Sequence, residues 1–85
     1  MEIIFSPKAI EHLQYWKKSG NKSLMGKITR LLEDIEKTPF EGIGKPEALK
    51  HDWTGYWSRR ITSEHRLVYK VDNDVIYVAQ LRYHY

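Results

Sequence analysis

Apolar positions along the chain change period twice. Ile3-Ile4-Phe5 is a short continuous apolar run and reads as a strand. Ser6 and Pro7 follow, a hydroxyl able to cap a helix and then the residue best tolerated at the first helical position. Ile10, Leu13 and Trp16 recur at helical spacing, which predicts a helix ending near Ser19-Gly20, since glycine is favoured just past a helix end. Asn21 can cap a second helix, in which Leu24, Ile28, Leu31, Leu32 and Ile35 form one stripe while Lys27, Arg30, Glu33 and Lys37 lie mostly off it. The two should form a helical hairpin. Thr38 to Pro46 breaks the period with two prolines and two glycines and is a loop. Beyond it, Trp57–Thr62, His65–Val71 and Val75–Tyr83 are rich in β-branched and aromatic residues, separated by turns at Ser63-Glu64 and Asp72-Asn73-Asp74. The order predicts a single α+β domain over residues 1–85, an N-terminal strand and two-helix hairpin packed on one face of an antiparallel β-sheet.

Alternation along the strands assigns their faces. Trp57, Arg59 and Ile61 form the more apolar set in the first meander strand; His65, Leu67, Tyr69 and Val71 do so in the second, and Val75, Tyr77, Ala79, Leu81 and Tyr83 in the third. These sets should cover the helices, with Arg59 and His65 at the rim and Tyr83 pinning the tail to the core, provided that no β-bulge shifts the parity. The opposite face then collects Arg60, Arg66, Arg82 and His84. A sheet covered on one side always has a polar second side, and the usual reading of Arg and His there is solvated surface. The combination with a nearby loop carboxylate, Glu47, is what raises a functional reading.

Composition sets bounds on that reading. The 85 residues are 41% hydrophobic and 13% aromatic, which suits a globular domain rather than a disordered segment. The formal charge of +3 permits an anionic partner such as RNA without demanding one. The absence of Cys excludes a disulfide framework and suits a reducing cytoplasm. The first residues lack the basic and apolar regions of a signal peptide, and no stretch is long enough to cross a bilayer. His12, His51, His65 and His84 show no metal-ligand spacing, Gly42-Ile43-Gly44 is a weak phosphate-loop match, and Ser58 and Ser63 lack an evident activating base.

RNA carries its own nucleophile. A base that removes the 2′-OH proton, an acid that protonates the leaving 5′-oxygen and a cation that stabilises the phosphorane suffice for cleavage without a metal. Glu47 is the candidate base and His84 the candidate acid, since imidazole can exchange a proton near neutrality. Arg66 is the first choice for the phosphate because a guanidinium binds it bidentately, with Lys50 and Arg60 second. Tyr85 could stack on a base or orient the phosphate. Taken singly, Glu47 is more often a solvated loop carboxylate, His84 commonly a frayed terminal residue and each cation a surface charge.

Five blocks in order carry a family resemblance: Thr38-Pro39-Phe40-Glu41-Gly42; Gly44 to His51; Gly55-Tyr56-Trp57-Ser58-Arg59-Arg60-Ile61; Glu64-His65-Arg66-Leu67-Val68-Tyr69; and Arg82-Tyr83-His84-Tyr85. Together they resemble the Txe/YoeB toxins of the RelE/ParE superfamily. The resemblance implies a microbial-ribonuclease-like fold and metal-free, cofactor-free cleavage of mRNA in the A site of the translating ribosome. It also implies a Phd/YefM-type antitoxin as partner, operator DNA reached only through the antitoxin complex, and a homodimer among relatives, for which Trp53 and Tyr56 could serve. Glu47 matches the family's general base, His84 its general acid and Arg66 its phosphate stabiliser, with Lys50, Arg60 and Tyr85 in support. Two alternatives remain: a non-catalytic toxin of the RelE/ParE fold, and a module that binds RNA without cutting it.

Overall fold

The computed structural model describes all residues, 1–85. Strand β1 (Glu2–Phe5) leads into helices α1 (Pro7–Ser19) and α2 (Lys22–Lys37). Strands β2 (Glu47–Ala48), β3 (Trp57–Arg60), β4 (Arg66–Asp72) and β5 (Val75–Gln80) follow, with one 3-10 turn at His51–Trp53. The sheet order is β1-β5-β4-β3-β2. Strands β2 to β5 pair antiparallel, as the meander requires, while β1 joins β5 in parallel and makes the sheet mixed. A parallel neighbour needs a crossover connection, and the intervening chain supplies it.

The helix ends follow the sequence signals. The Ser6 hydroxyl accepts from the Ala9 N–H at 3.0 Å, Asn21 Oδ1 accepts from the Leu24 N–H at 3.0 Å, and Gly20 takes the left-handed conformation at φ 72°. Helix α2 buries Leu24, Ile28, Leu31 and Ile35, four of the five stripe residues. Helix α1 departs from the expected stripe: Ala9, His12 and Trp16 are buried, whereas Ile10 is 45% exposed. At 100° per residue the 9-12-16 series faces the sheet, and position 10 points away from it. Asn73 and Asp74, at φ 48° and 64°, form the two-residue hairpin turn between β4 and β5. No helix is long and apolar enough to cross a membrane.

The face assignment holds in β3 and β4 and fails in β5. Leu67 and Tyr69 are in the core as expected, but so are Ile76 and Val78, not Val75, Tyr77 and Ala79. The register explains the reversal: Tyr69 pairs with Val78 while Val68 pairs with Gln80, so Ala79 is an inserted residue. This β-bulge flips the parity and returns Leu81 to the core. Ser6 accommodates it, because its hydroxyl donates to the Ala79 carbonyl at 2.7 Å while its N–H donates to Val78 at 2.9 Å.

Arg59 departs furthest from its expected place at the rim, since it is 0% exposed. All five guanidinium N–H groups are used. Nε donates to the Tyr69 hydroxyl at 3.2 Å. Nη1 donates to the Asp34 carboxylate and to the Ile43 carbonyl. Nη2 donates to the carbonyls of Thr38 and Glu41 at 2.6 and 2.9 Å. The Tyr69 hydroxyl in turn donates to the Pro39 carbonyl. One buried cation thereby satisfies the carbonyls of a loop that has no period of its own. The loop rejoins β3 where the Arg60 N–H donates to the Gly44 carbonyl at 2.7 Å, three residues before Glu47.

Candidate active site

The open face of the sheet is built from register. Glu47 lies opposite Ser58, Ser58 opposite Val68, and Val68 opposite Gln80, so these four side chains form one row on the face away from the helices. Two residues along, Arg60 lies opposite Arg66 on the same face. Glu47, Arg60 and Arg66 thus share a surface: alternation predicts the two arginines there, and the β2–β3 pairing adds Glu47, expected only as a nearby loop carboxylate. Neither arginine has an ion-pair partner; the side-chain ion pair of this molecule is Arg59–Asp34. Like charges set directly opposite each other across strands are unfavourable, and an anion between them would relieve the repulsion. Arg66 also has a structural role: its Nη1 donates to the carbonyls of Thr62, Ser63 and His65 at 2.9, 3.3 and 3.1 Å, closing the β3–β4 turn.

The C-terminal tail departs from expectation. Tyr83 is 53% exposed and does not anchor in the core. Arg82 leaves the open face, and its guanidinium stacks 3.4 Å over the Tyr15 ring of α1. The cause is the end of β5 at Gln80 together with the left-handed turn at Tyr83, φ 67°. After β5 ends, the tail is held by side chains instead of a complete ladder. Trp16 Nε1 donates to the Leu81 carbonyl at 2.8 Å. The N–H groups of Leu81 and Tyr83 donate to His12 Nδ1 and His65 Nδ1 at 3.1 and 2.8 Å. The Arg66 N–H donates to the Tyr83 carbonyl at 3.0 Å. Gln80 Nε2 reaches the carbonyls of Arg82 and His84, both at 3.2 Å.

Val68 and Ser58, between Gln80 and Glu47 in the row, are buried although they lie on the open face. Tyr85 reaches a shallow cleft of 410 Å³ that it lines with Glu47, Lys50, His51, Asp52 and Trp53. Three sequence-predicted residues, Glu47, Lys50 and Tyr85, therefore meet. His84 does not line this cleft. It lines a separate recess with Lys8, His12, Gln80 and Arg82. His51 and Trp53 of the cleft were not singled out for chemistry from sequence, because an extended segment followed by a 3-10 turn leaves no periodic signal. The supports His12, His65 and Gln80 were missed as well, since a single His or Gln reveals a backbone partner only once the tail is placed.

Two perturbed groups lie around this machinery. Burial, then the charges of Lys8 and Arg82, hold the His12 imidazole below its ordinary 6.5, in keeping with an Nδ1 that accepts a hydrogen bond. Burial pushes the Tyr69 phenol up despite Arg59, so it remains a donor to Pro39.

Known proteins share much of this sequence and its shape. Residues 5–85 match the family described as YoeB-like toxin of bacterial type II toxin-antitoxin system. The toxin YoeB of Escherichia coli K12 is 49% identical over 85 residues, the whole of both chains. A YoeB/ParE toxin from Agrobacterium tumefaciens superposes with a TM-score of 0.95 at 40% identity, with both chains fully covered. Staphylococcus aureus YoeB, solved as a dimer and in a heterotetrameric complex with YefM, gives 0.91 at 49% identity over 100% of this chain and 98% of its own. Full-length similarity at this level, together with the shared fold, shows that the chain belongs to the YoeB-like toxin family of bacterial type II toxin–antitoxin systems.

Proposed function

We propose that the chain is a ribosome-dependent endoribonuclease that cleaves mRNA in the A site by 2′-OH attack and so stops translation. The observation that carries this reading is the outward pair Arg60–Arg66, without a carboxylate partner, on the same face as Glu47. An RNA phosphate between the arginines is stabilised as charge builds up on the phosphorane. Glu47, from the edge strand, takes the 2′-OH proton, and His84 returns a proton to the leaving 5′-oxygen. Lys50 adds positive charge beside Glu47, and Tyr85 offers an aromatic face to a base. The reading requires the exposed His84 ring to turn from its recess toward the cleft when RNA is bound. Gln80 holds the His84 backbone and leaves the ring free to do so.

The remaining functional assignments belong to the same proposal. A YefM-type antitoxin is the partner that neutralises the chain and a homodimer is the self-associated form, both by similarity to the Staphylococcus aureus assemblies, and operator DNA is reached only through the antitoxin complex. The site of action is the cytoplasm.

Product ends test the reading in a translation extract. Cleaved mRNA should carry a 2′,3′-cyclic phosphate or 3′-phosphate and a 5′-OH. Intact mRNA with retained, salt-sensitive binding would instead favour a binding module.

A further inference from the structure

Past Gln80 the chain keeps one backbone bond to β4, from the Arg66 N–H to the Tyr83 carbonyl, and carries the residues on which the proposed chemistry depends. Two backbone N–H groups, those of Leu81 and Tyr83, flank Arg82, and each is taken by an imidazole nitrogen. One imidazole comes from the middle of α1, the other from the residue preceding β4. Both rings pack on the same Tyr83 side chain, with centroids at 5.9 Å for His12 and 6.2 Å for His65. His65 also packs edge-on against Trp16 at 4.8 Å, and Trp16 holds the Leu81 carbonyl. The three aromatic residues therefore hold the Leu81 N–H, the Leu81 carbonyl and the Tyr83 N–H, three polar groups of one short segment.

An imidazole can accept at Nδ1 only as the tautomer that carries its proton on Nε2. Both rings are therefore neutral acceptors, and neither side chain belongs to the Glu47 cleft. Without them, the Leu81 and Tyr83 N–H groups lose their partners, and the left-handed turn at Tyr83 loses what fixes its direction. That turn determines where His84 and Tyr85 point.

We infer that His12 and His65 are positioning residues for the reaction, a pair of neutral imidazole acceptors that set the C-terminal tail at the angle from which His84 and Tyr85 reach RNA. The inference rests on the ribonuclease reading for its effect on rate, but the clamp itself can be measured without any activity. Geometry of this kind acts on the chemical step more than on binding, because a displacement of about 1 Å at reacting groups can lower a rate about 10²-fold.

The test uses the full-length chain with His12→Phe, His65→Phe, His12→Asn and His65→Asn. Phenylalanine keeps a ring for packing and removes the acceptor, whereas the asparagine amide oxygen restores an acceptor close to the Nδ1 position. On ribosome-bound mRNA the Phe variants should lose about 10- to 100-fold in kcat with KM changed less than about 3-fold. The Asn variants should recover most of that loss. Amide hydrogen exchange at Leu81 and Tyr83 should accelerate in the Phe variants and slow again in the Asn variants. Wild-type kcat in both Phe variants, or Asn variants no better than Phe, overturns the inference. His65 is only partly buried, so His65→Phe remains informative where His12→Phe does not fold. If the wild-type chain leaves mRNA intact, the ribonuclease reading falls alone; unchanged amide exchange in the Phe variants would then still overturn the clamp.

Discussion

Arg59 donates to the Asp34 carboxylate across 25 residues of sequence, and this pair fixes the loop that delivers Glu47 to the open face. The Asp34 carboxyl is held below its ordinary 3.8, chiefly by the hydrogen bond from Arg59, with the Ile43 N–H adding to it and burial opposing. A depressed carboxylate contributes stability that is present above its unfolded pKa and lost as pH falls through the folded value. Asp34→Asn should therefore lower the urea midpoint at neutral pH, leaving a buried guanidinium unpaired. The gap to the parent should shrink below about pH 4. Equal midpoints at pH 7 would remove the pair from the account of stability.

Tyr69→Phe probes the same network from its buried end. It deprives Arg59 Nε of its acceptor and Pro39 of its donor. The expected loss is about 1–3 kcal/mol, the cost of leaving buried polar groups unmatched. Denaturant unfolding of the two proteins measures it directly.

Gly42→Ala should be at least as damaging. Gly42 sits at φ 120°, and an added Cβ would overlap the Asp34 carboxylate and crowd Arg59 Nη1 at 3.2 Å. The backbone conformation alone costs a non-glycine residue about 1–3 kcal/mol. A further drop in cleavage beyond the fraction unfolded would indicate that the loop sets the position of Glu47; proportional losses would argue against it.

For the chemistry, Glu47→Gln and His84→Gln should each lower mRNA cleavage about 10²- to 10⁴-fold, the usual worth of a general base or acid. Both residues are exposed, so melting temperatures should stay near that of the parent. Near-normal rates in both variants would reject the acid–base assignment. A tag added after Tyr85 should also lower activity, because Tyr85 occupies the Glu47 cleft; an unaffected tagged enzyme would show that Tyr85 contributes little.

His12 leads to a prediction about stability and pH. Its imidazole is held below 6.5 by burial, Lys8 and Arg82, with His65 adding and Glu11 opposing. The neutral form is the one that fits, so its contribution is whole above the unfolded pKa and is lost as pH falls through the lowered folded value. Melting temperature followed from pH 7 to pH 5 should therefore fall less in His12→Asn than in the parent. Parallel curves would show that His12 titrates without affecting the fold.

What could be read from sequence divides along local and distant contacts. Ser6-Pro7, Gly20 and Asn21 act within a turn of where they stand, so both helix ends were legible, as was the Asn73-Asp74 hairpin. Arg60 and Arg66 fall on one face as alternation predicts because β3 and β4 pair without interruption, whereas the short edge strand that sets Glu47 beside them has no pattern of its own. The error began at Ala79, whose bulge depends on a serine 73 residues earlier. Val75, Tyr77 and Ala79, which lead up to it, are therefore assigned to the wrong face by alternation, whereas Arg82 and Tyr83 depart because the strand has already ended and Tyr83 turns left-handed. Arg59 was hidden for a similar reason. A buried arginine is identified by the carbonyls it collects, and those come from a loop without a pattern.

The parallel pairing of β1 with β5 also constrains how the molecule comes into being. The strand synthesised first has its only sheet partner at the far end of the chain, and Ser6 waits 73 residues for Ala79. Nascent chain can form α1 and α2, but the sheet cannot close over them until β5 has emerged. Such high sequence separation slows folding relative to local pairing. The local β2–β3–β4 pairings that carry Glu47 and the arginines can thus form before β1 finds β5, and the closing of the sheet over the helices is the late step.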